Sequence, residues 1–204
     1  MPEYRRRLPH RYESGTPIFI TWRLKFTLPQ CLLTTLQERK QEFETKINEL
    51  SDEYQKMQRY QFEKKQFDWF DEYIAKSPET PTLLRNPELA EIVSMAIRSQ
   101  DRHYYNLHAF CIMPNHVHVL LTLLDVEKFS DLSDVMRKIK GVSAYEINKY
   151  LGKEGSVWAK ESYDHLVRND KEFNRVVDYI LDNPVKAGLV DKQEDWPHSW
   201  REVT

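Results

Sequence analysis

Residues 104–124 read YYNLHAFCIMPNHVHVLLTLL, and the predicted fold is built around them. In residues 104–113 the apolar side chains fall on odd positions, which is the period-two pattern of a β-strand. Residues 116–124 form a second, largely apolar run, and the Pro114-Asn115 pair between the two runs is typical of a tight turn. The stretch therefore predicts two antiparallel strands joined as a hairpin.

Two histidines interrupt the second of these strands. His116 and His118 are two residues apart, so their side chains point to the same face, roughly 7 Å apart at the backbone. Val117, Val119 and Leu121 point to the opposite face, where we expect them to enter the core. Two imidazoles that converge on one face can bind one metal ion or one phosphate group.

The next residue on the histidine face is Leu120. Zinc hydrolases with an HxHxD motif have a carboxylate at this place, and histidine-triad nucleotide hydrolases have a third histidine. Leu120 provides neither group, so both interpretations are disfavoured. A purely structural pair of partly exposed sheet histidines remains an alternative.

The segment YILDN (179–183) offers a second half for such a site. Tyr179 and Asn183 are four residues apart and so lie on one face of a helix. The amide carbonyl of Asn183 could complete a metal site, and the phenol oxygen of Tyr179 could then attack a metal-bound phosphate ester. The alternative is a core tyrosine on a helix that ends at Asn183.

The remaining segments complete the predicted fold. Further strands are predicted at 17–27 and 162–168, and helices at 31–76, 87–100, 130–152 and 171–183. This order predicts an α+β fold of the ferredoxin-like or RRM-like type, an antiparallel sheet with helices on one face. Residues 1–204 are predicted to form one domain, in which residues 31–100 are a helical insertion between the first and second strands. The long helix at 31–76 is expected to have a packing role.

The predicted helix ends rest on four residues. Asn86 and Asp170 are the predicted N-caps of the second and fourth helices. Gly152 and Pro184 are the predicted ends of the third and fourth helices. The tail after Pro184 is expected to fold back and pack through Trp196. Trp200 is expected to pack in the same way.

The composition excludes several classes of protein. The 204 residues carry a formal net charge of −2, and no apolar run approaches the ~18–20 residues of a membrane helix. The start, MPEYRRRLPHRY, has no apolar stretch and is not a signal peptide. Cys31 and Cys111 lie far apart, so we expect a reduced, cytoplasmic protein without a disulfide framework.

Basic side chains are concentrated in two parts of the sequence. Residues 1–30 and 137–160 each carry six of them against two acidic ones. Two basic patches on a nearly neutral protein fit a local site for a polyanion. A solvated surface without a ligand is the alternative.

Several segments together resemble the REP-associated tyrosine transposases, which are single-tyrosine members of the HUH (His-hydrophobic-His) nucleases. They are YRRRLPH (4–10), PNHVHVL (114–120), VWAKESYDHLVRND (157–170) and VVDYILDNPVKAGLV (176–190). The segment at 67–93 also resembles this family, although it lacks a glycine near Thr80-Pro81.

The resemblance implies a reaction and a set of residues. Tyr179 matches the nucleophile, and His116 and His118 match the metal-binding histidines, with Mg²⁺ or Mn²⁺ as the ion. Asn183 stands where insertion-sequence relatives carry a glutamine as third ligand. The implied reaction is cleavage of single-stranded DNA beside a palindromic hairpin, which leaves a 5′-phosphotyrosine link and a free 3′-OH. Rejoining reverses these steps.

The resemblance also suggests DNA contacts and partners. Phosphates are the expected partners of Arg5, Arg6, Arg7, Arg11, Lys138 and Lys140, and base stacking is the expected role of Trp158 and Tyr163. Tyr163 is also a weaker alternative nucleophile. The protein is expected to be a monomer or a homodimer. Two alternatives remain open, namely a hairpin-binding protein that does not cut and a metal-dependent nucleotide hydrolase.

Overall fold

A computed structural model describes residues 15–26, 29–48, 50–76, 81–125 and 131–202. In chain order, the strands and longer helices of these residues are β1 (Pro17–Leu24), α1 (Gln30–Ile47), α2 (Asp52–Lys76), α3 (Pro87–Arg98), β2 (Tyr105–Ile112), β3 (His116–Leu123), α4 (Leu132–Leu151), β4 (Trp158–Leu166), α5 (Asp170–Lys186) and β5 (Ser199–Arg201).

The strands form one open antiparallel sheet in the order β4-β1-β3-β2-β5. The predicted hairpin of β2 and β3 is confirmed, with Phe110 opposite Val119 and Cys111 opposite His118. β4 pairs with β1 and begins at Trp158, four residues before the predicted start. The predicted α+β fold with an antiparallel sheet is therefore confirmed.

Helices cover both faces of this sheet, so the prediction of helices on one face is wrong. On one face, Ile20 and Val119 pack against α3 and α4. On the other, Phe19 and Leu120 pack against α2 and α5, whose contacts include Ile180. The physical reason lies in β1 and β3, which are almost continuously apolar, because strands covered on both faces have no polar side to alternate with.

The prediction of one helix over 31–76 is also wrong, because the chain breaks into α1 and α2. The two helices lie antiparallel to each other. Arg59 makes a two-pronged ion pair with Glu44, at 3.0 and 2.9 Å, and the rings of Phe43 and Phe62 stack 4.0 Å apart. The break falls beside Asn48, a residue type that favours turns over helix interiors.

Two predicted helix boundaries are confirmed and two are shifted. The Asn86 side chain accepts a hydrogen bond from the Glu88 N–H at the start of α3, and Gly152 ends α4 with a φ of 61°. The N-cap of α5 is Asn169 rather than Asp170. α5 also continues past Pro184, because a proline in the last turn removes only one intrahelical hydrogen bond.

The tail folds back onto the sheet as predicted. The Trp196 indole N–H donates to the Ile112 carbonyl at 3.1 Å, and the Trp200 ring stacks on Phe110 at 6.0 Å. β5 extends the sheet beside β2. No described helix combines the length and the apolar character that crossing a membrane requires.

Candidate active site

The two histidines of β3 and the tyrosine of α5 meet on the sheet face that α2 and α5 cover. His116 and His118 are fully buried, and their ring centroids are 4.7 Å apart. The Tyr179 ring lies edge-on to His118 at 5.7 Å and is half-buried. The structure thus brings together residues that are about sixty positions apart in the sequence.

A third polar group comes from α2, a part of the chain for which the sequence predicted only a packing role. Asp71 Oδ1 lies 3.5 Å from His116 Nε2 and 3.4 Å from His118 Nε2. One ligand atom from each of these three residues lies within 4.8 Å of the others. An available signal was the spacing of Phe67, Asp71 and Ile74, which places an acid within a buried helical stripe.

The tautomer of His116 follows from its hydrogen bonds. The Asn115 amide donates to the Ile74 carbonyl at 2.9 Å, which turns its Oδ1 towards His116 Nδ1 at 2.6 Å. Nδ1 must therefore carry the hydrogen, and the lone pair of Nε2 faces Asp71.

His118 has a similar arrangement. Its Nδ1 lies 2.8 Å from Thr21 Oγ1, a hydroxyl that can accept its hydrogen. Both Nε2 atoms and Asp71 Oδ1 are buried without a hydrogen-bond partner. Three unpartnered buried ligand atoms that face one another fit a divalent cation. The hydrogen bonds at the two Nδ1 atoms fix the orientation of the imidazole rings, as the outer hydrogen bonds of metal-binding histidines do.

The pKa values in the cluster favour a neutral histidine pair and an ionised acid. Burial lowers the pKa of His116 to about 3 and also lowers the pKa of His118. Burial acts to raise the pKa of Asp71, but the positive charge that the imidazoles carry when protonated and the hydrogen bonds from Tyr179 and Asn183 outweigh it, so that pKa is lowered. Neutral imidazoles and a carboxylate are the forms that bind metal ions.

The second oxygen of Asp71 binds α5. The Tyr179 hydroxyl donates a hydrogen bond to Asp71 Oδ2, and the Asn183 amide donates to the same oxygen at 3.3 Å. Asn183 therefore directs its N–H, and not its carbonyl oxygen, towards Asp71, and the oxygen that faces both histidines is Asp71 Oδ1. The Lys186 ammonium lies 4.8 Å from the centroid of the Tyr179 ring.

Tyr163, the alternative nucleophile, has a different environment. Its ring stacks on Phe67 at 4.1 Å and contacts Phe19 edge-on at 6.4 Å. Its apolar partners belong to the core cluster of this face. The hydrogen bond to the shared carboxylate distinguishes Tyr179 from it.

The predicted DNA contacts have different outcomes. The four arginines at positions 5, 6, 7 and 11 lie outside the described residues. Lys138 Nζ donates to the Tyr104 hydroxyl at 3.2 Å, and Lys140 Nζ donates to the Ala159 carbonyl at 2.8 Å. Both lysines are on α4, on the opposite face of the sheet from the histidines.

Base stacking by Trp158 is contradicted by its burial. The side chain is 5% exposed, its indole N–H donates to Ser143 Oγ at 3.0 Å, and its ring contacts Trp22 edge-on. A fully packed ring offers no free face to a base. The predicted start of β4 at residue 162 was four residues too late, and it left Trp158 outside the sheet into which it packs.

Comparisons with known proteins show the family of the chain. A sequence model of the family described as "Transposase IS200 like" matches residues 79–183, just over half of the chain. This stretch contains His116, His118 and Tyr179, whereas Asp71 lies before it. The chain belongs to the IS200-like transposase family.

Relatives with sequence similarity carry related names. "Putative REP-associated tyrosine transposase" of Haemophilus influenzae is 30% identical over 112 residues, 51% of this chain and 64% of the relative. "REP-associated tyrosine transposase" of Escherichia coli K12 is 33% identical over 95 residues, 47% of this chain and 53% of the relative. The chain therefore spans less than two thirds of each relative.

A solved structure has the same fold. It is a REP-associated tyrosine transposase bound to a REP hairpin, with a TM-score of 0.51 and 24% sequence identity. The match covers 98% of this chain and 82% of the other. At this level of identity the likeness concerns the fold.

Proposed function

We propose that the protein is a metal-dependent tyrosine transposase that cleaves and rejoins single-stranded DNA at REP-like hairpins. The observation that carries the proposal is the shared carboxylate, because Asp71 faces both histidine Nε2 atoms and accepts the hydrogen bond of Tyr179. A candidate nucleophile thus lies directly beside a candidate metal site. Family membership and the names of the relatives support the same reaction.

In this proposal, His116, His118 and Asp71 would hold the divalent ion. A carboxylate oxygen with two imidazoles suits Mn²⁺, and Mg²⁺ is the alternative with more water ligands. Bound there, the ion would supply Lewis-acid catalysis by drawing charge from a phosphodiester. The buried, neutral imidazoles are already in the form that binds it, so the protein needs no protonation change to do so.

Tyr179 is the proposed nucleophile. Its oxygen forms a bond to phosphorus while the bond from phosphorus to the 3′ oxygen breaks, and in-line attack requires a separation of about 3–3.5 Å. The phenol proton is released and the 3′ oxygen takes up a proton, so a free 3′-OH and a 5′-phosphotyrosine result. The reverse reaction with another 3′-OH rejoins the DNA.

We also propose where the DNA is held. The arginines at positions 5, 6, 7 and 11, together with Lys138 and Lys140, would contact phosphates, because cationic side chains bind DNA mainly through its backbone. The family and the hairpin-bound relative support a DNA partner. We also propose that the protein is cytoplasmic and that it acts as a monomer or a homodimer.

The test is the formation of a covalent adduct. Wild-type protein with a single-stranded oligonucleotide that carries a hairpin and Mn²⁺ should give a DNA–protein adduct that resists SDS. Tyr179→Phe and addition of a chelator should each abolish it. Tyr145→Phe is the matched control, because Tyr145 is 66% exposed on α4, and it should react normally. An adduct formed by Tyr179→Phe would refute the assignment of the nucleophile.

The alternative of a hairpin-binding protein that does not cut has one observation in its favour. Both histidines are completely buried, so the site is closed to a DNA phosphate as the structure stands. Hairpin binding by the wild type without any adduct, under both Mg²⁺ and Mn²⁺, would favour this alternative. Hydrolysis of mononucleotides that Tyr179→Phe leaves unchanged would instead favour a nucleotide hydrolase.

A further inference from the structure

We infer that Asp71 is the positioning residue for the nucleophile, so that one carboxylate serves a metal ion through Oδ1 and orients Tyr179 through Oδ2. The inference rests on the proposed function and extends it to a residue that precedes the family-matched segment 79–183. It makes α2, which enters the fold between β1 and β2, part of the catalytic apparatus.

The two oxygens of Asp71 face different partners. Oδ1 lies within 3.5 Å of both imidazole Nε2 atoms and has no hydrogen-bond donor. Oδ2 accepts from the Tyr179 hydroxyl and from the Asn183 amide. A bound cation and the tyrosine therefore do not compete for the same oxygen, and the phenol is kept next to the ion.

The carboxylate itself is held in place. Asp71 is 6% exposed, and Asn183, one turn along α5 from Tyr179, donates to it from the same helix face as the tyrosine. On α2, the Ile74 carbonyl accepts from Asn115, the residue that also binds His116. Helix and hairpin are thus joined by polar contacts immediately beside Asp71.

A second polar contact holds α2 further along its length. The Tyr60 hydroxyl donates to Glu172 at 3.1 Å, and Arg168 lies over the Tyr60 ring. Tyr60 and Asp71 are eleven residues apart, about 16 Å along a helix. Fixed at both places, α2 presents Asp71 in one position, which is the condition for a group that orients a nucleophile.

Asp71→Asn is the deciding variant because it keeps the shape of the side chain. Its carbonyl can still face the ion, but its amide nitrogen then faces Tyr179 and cannot accept the phenol hydrogen bond. The matched control is Asp178→Asn, an exposed acid beside Tyr179 in the sequence. The three measurements are Mn²⁺ affinity by calorimetry, the adduct rate at saturating Mn²⁺, and the ¹⁹F resonance of 3-fluorotyrosine placed at position 179.

We expect Asp71→Asn to weaken Mn²⁺ binding by about 10–100-fold, as is typical when a group at a metal site is altered. At saturating Mn²⁺ the adduct rate should still be about 10²-fold below wild type, since misplacing a reacting group by about 1 Å costs that much. The ¹⁹F resonance should shift. Asp178→Asn should leave all three quantities unchanged, and Tyr179→Phe should bind Mn²⁺ normally.

A wild-type adduct rate for Asp71→Asn at saturating Mn²⁺ would overturn the inference, as would an unchanged ¹⁹F resonance. If the wild type formed no adduct but Asp71→Asn still shifted the resonance, the proposed reaction would fail and the positioning contact would stand. Should Asp71→Asn not fold, Asn183→Leu provides the second variant. It leaves Asp71 in place without its second donor and should slow adduct formation by roughly 3–10-fold, and an unchanged rate would count against the inference.

Discussion

The two faces of the sheet are built from the same strands and have opposite chemistry. The face beneath α3 and α4 is apolar, with Ile20, Val119 and Leu121 in a continuous core. The face beneath α2 and α5 buries His118 and Asp71 among aromatic rings. Both faces exclude water, so burial alone does not distinguish them.

The difference lies in the kind of buried group that lacks a hydrogen-bond partner, since Trp22 Nε1 on the α3–α4 face is an indole donor that cannot bind a cation. Apolar residues on the α3–α4 face need none, and their burial contributes to stability in proportion to the area removed from water. On the α2–α5 face, the unpartnered atoms include three that face one another, namely His116 Nε2, His118 Nε2 and Asp71 Oδ1, and leaving them without hydrogen bonds costs free energy. A fold keeps such atoms at functional sites, so the comparison separates residues that stabilise the protein from residues that serve a reaction.

The largest expected effect is on activity, from His118→Asn. Asparagine can keep a hydrogen bond to Thr21 but removes the Nε2 atom that faces Asp71. The adduct rate should fall about 10³-fold or more, as for loss of a member of a catalytic unit. Stability should change by only about 1–2 kcal/mol, since Nε2 has no partner to lose and the cost is limited to the ring contacts with Phe19 and Tyr179. Adduct assays and urea unfolding of the same preparation provide the check, and a large loss of stability would show that the histidine is structural.

Leu121→Ala should have the reverse effect. Leu121 is fully buried on the α3–α4 face, and removing its side chain should cost about 2–5 kcal/mol in the free energy of unfolding. Below the unfolding transition, the adduct rate per folded molecule should remain at the wild-type value. Urea unfolding and active-site titration would measure the two quantities. A slower reaction in fully folded protein would mean that the two faces are coupled.

Trp158→Phe tests the corrected role of this tryptophan. The change removes the indole hydrogen bond to Ser143 and should cost about 1–2 kcal/mol of stability. Hairpin affinity should stay within about 2-fold, because the ring is packed inside the protein. Trp69→Phe is the control on the exposed side of α2, with a smaller effect on stability. Weaker hairpin binding with unchanged stability would restore the base-stacking role.

The smallest effect is expected from Glu172→Gln. Burial raises the pKa of Glu172, but the Arg168 backbone N–H and the His165 side chain outweigh it, so the pKa lies below its usual value. The ionised group therefore stabilises the folded protein at neutral pH by about 1 kcal/mol, and this contribution is lost as pH falls below about 4.5. The free energy of unfolding of Glu172→Gln should be lower than that of the wild type at pH 7, and the difference should disappear towards pH 3.5. Glu194→Gln, on an exposed acid, should show none.

Local signals in the sequence predicted much of the fold. The hairpin of β2 and β3 follows from the period-two alternation of apolar residues. The cap at Asn86 follows from the preference of asparagine for the N-cap position of a helix. The same-face placement of His116 and His118 follows from strand geometry alone. Helices on the second face of the sheet could also have been predicted, because β1 is apolar at successive residues and not only at alternate ones.

Features that depend on long-range packing were not predictable in the same way. Asp71 is one of many acids on α2, and only the docking of this helix against β3 selects it. The break between α1 and α2 goes with long-range contacts, such as Arg59 with Glu44 and Phe43 with Phe62, that a single straight helix would not make. The direction of the Asn183 amide likewise follows from the carboxylate opposite it, since a carboxylate only accepts hydrogen bonds.

The entry of Asp71 on α2 has a thermodynamic consequence. Helix docking and ion binding use the same carboxylate, so their free energies are linked, and the linkage is reciprocal. If docking of α2 raises the affinity for the ion by some factor, binding of the ion raises the equilibrium constant for docking of α2 by the same factor. Substitutions at Tyr60, about 16 Å from Asp71 along the helix, should therefore alter metal affinity without contacting the metal. Hydrogen exchange along α2, followed as a function of Mn²⁺ concentration, would measure how strongly the ion stabilises the docked helix.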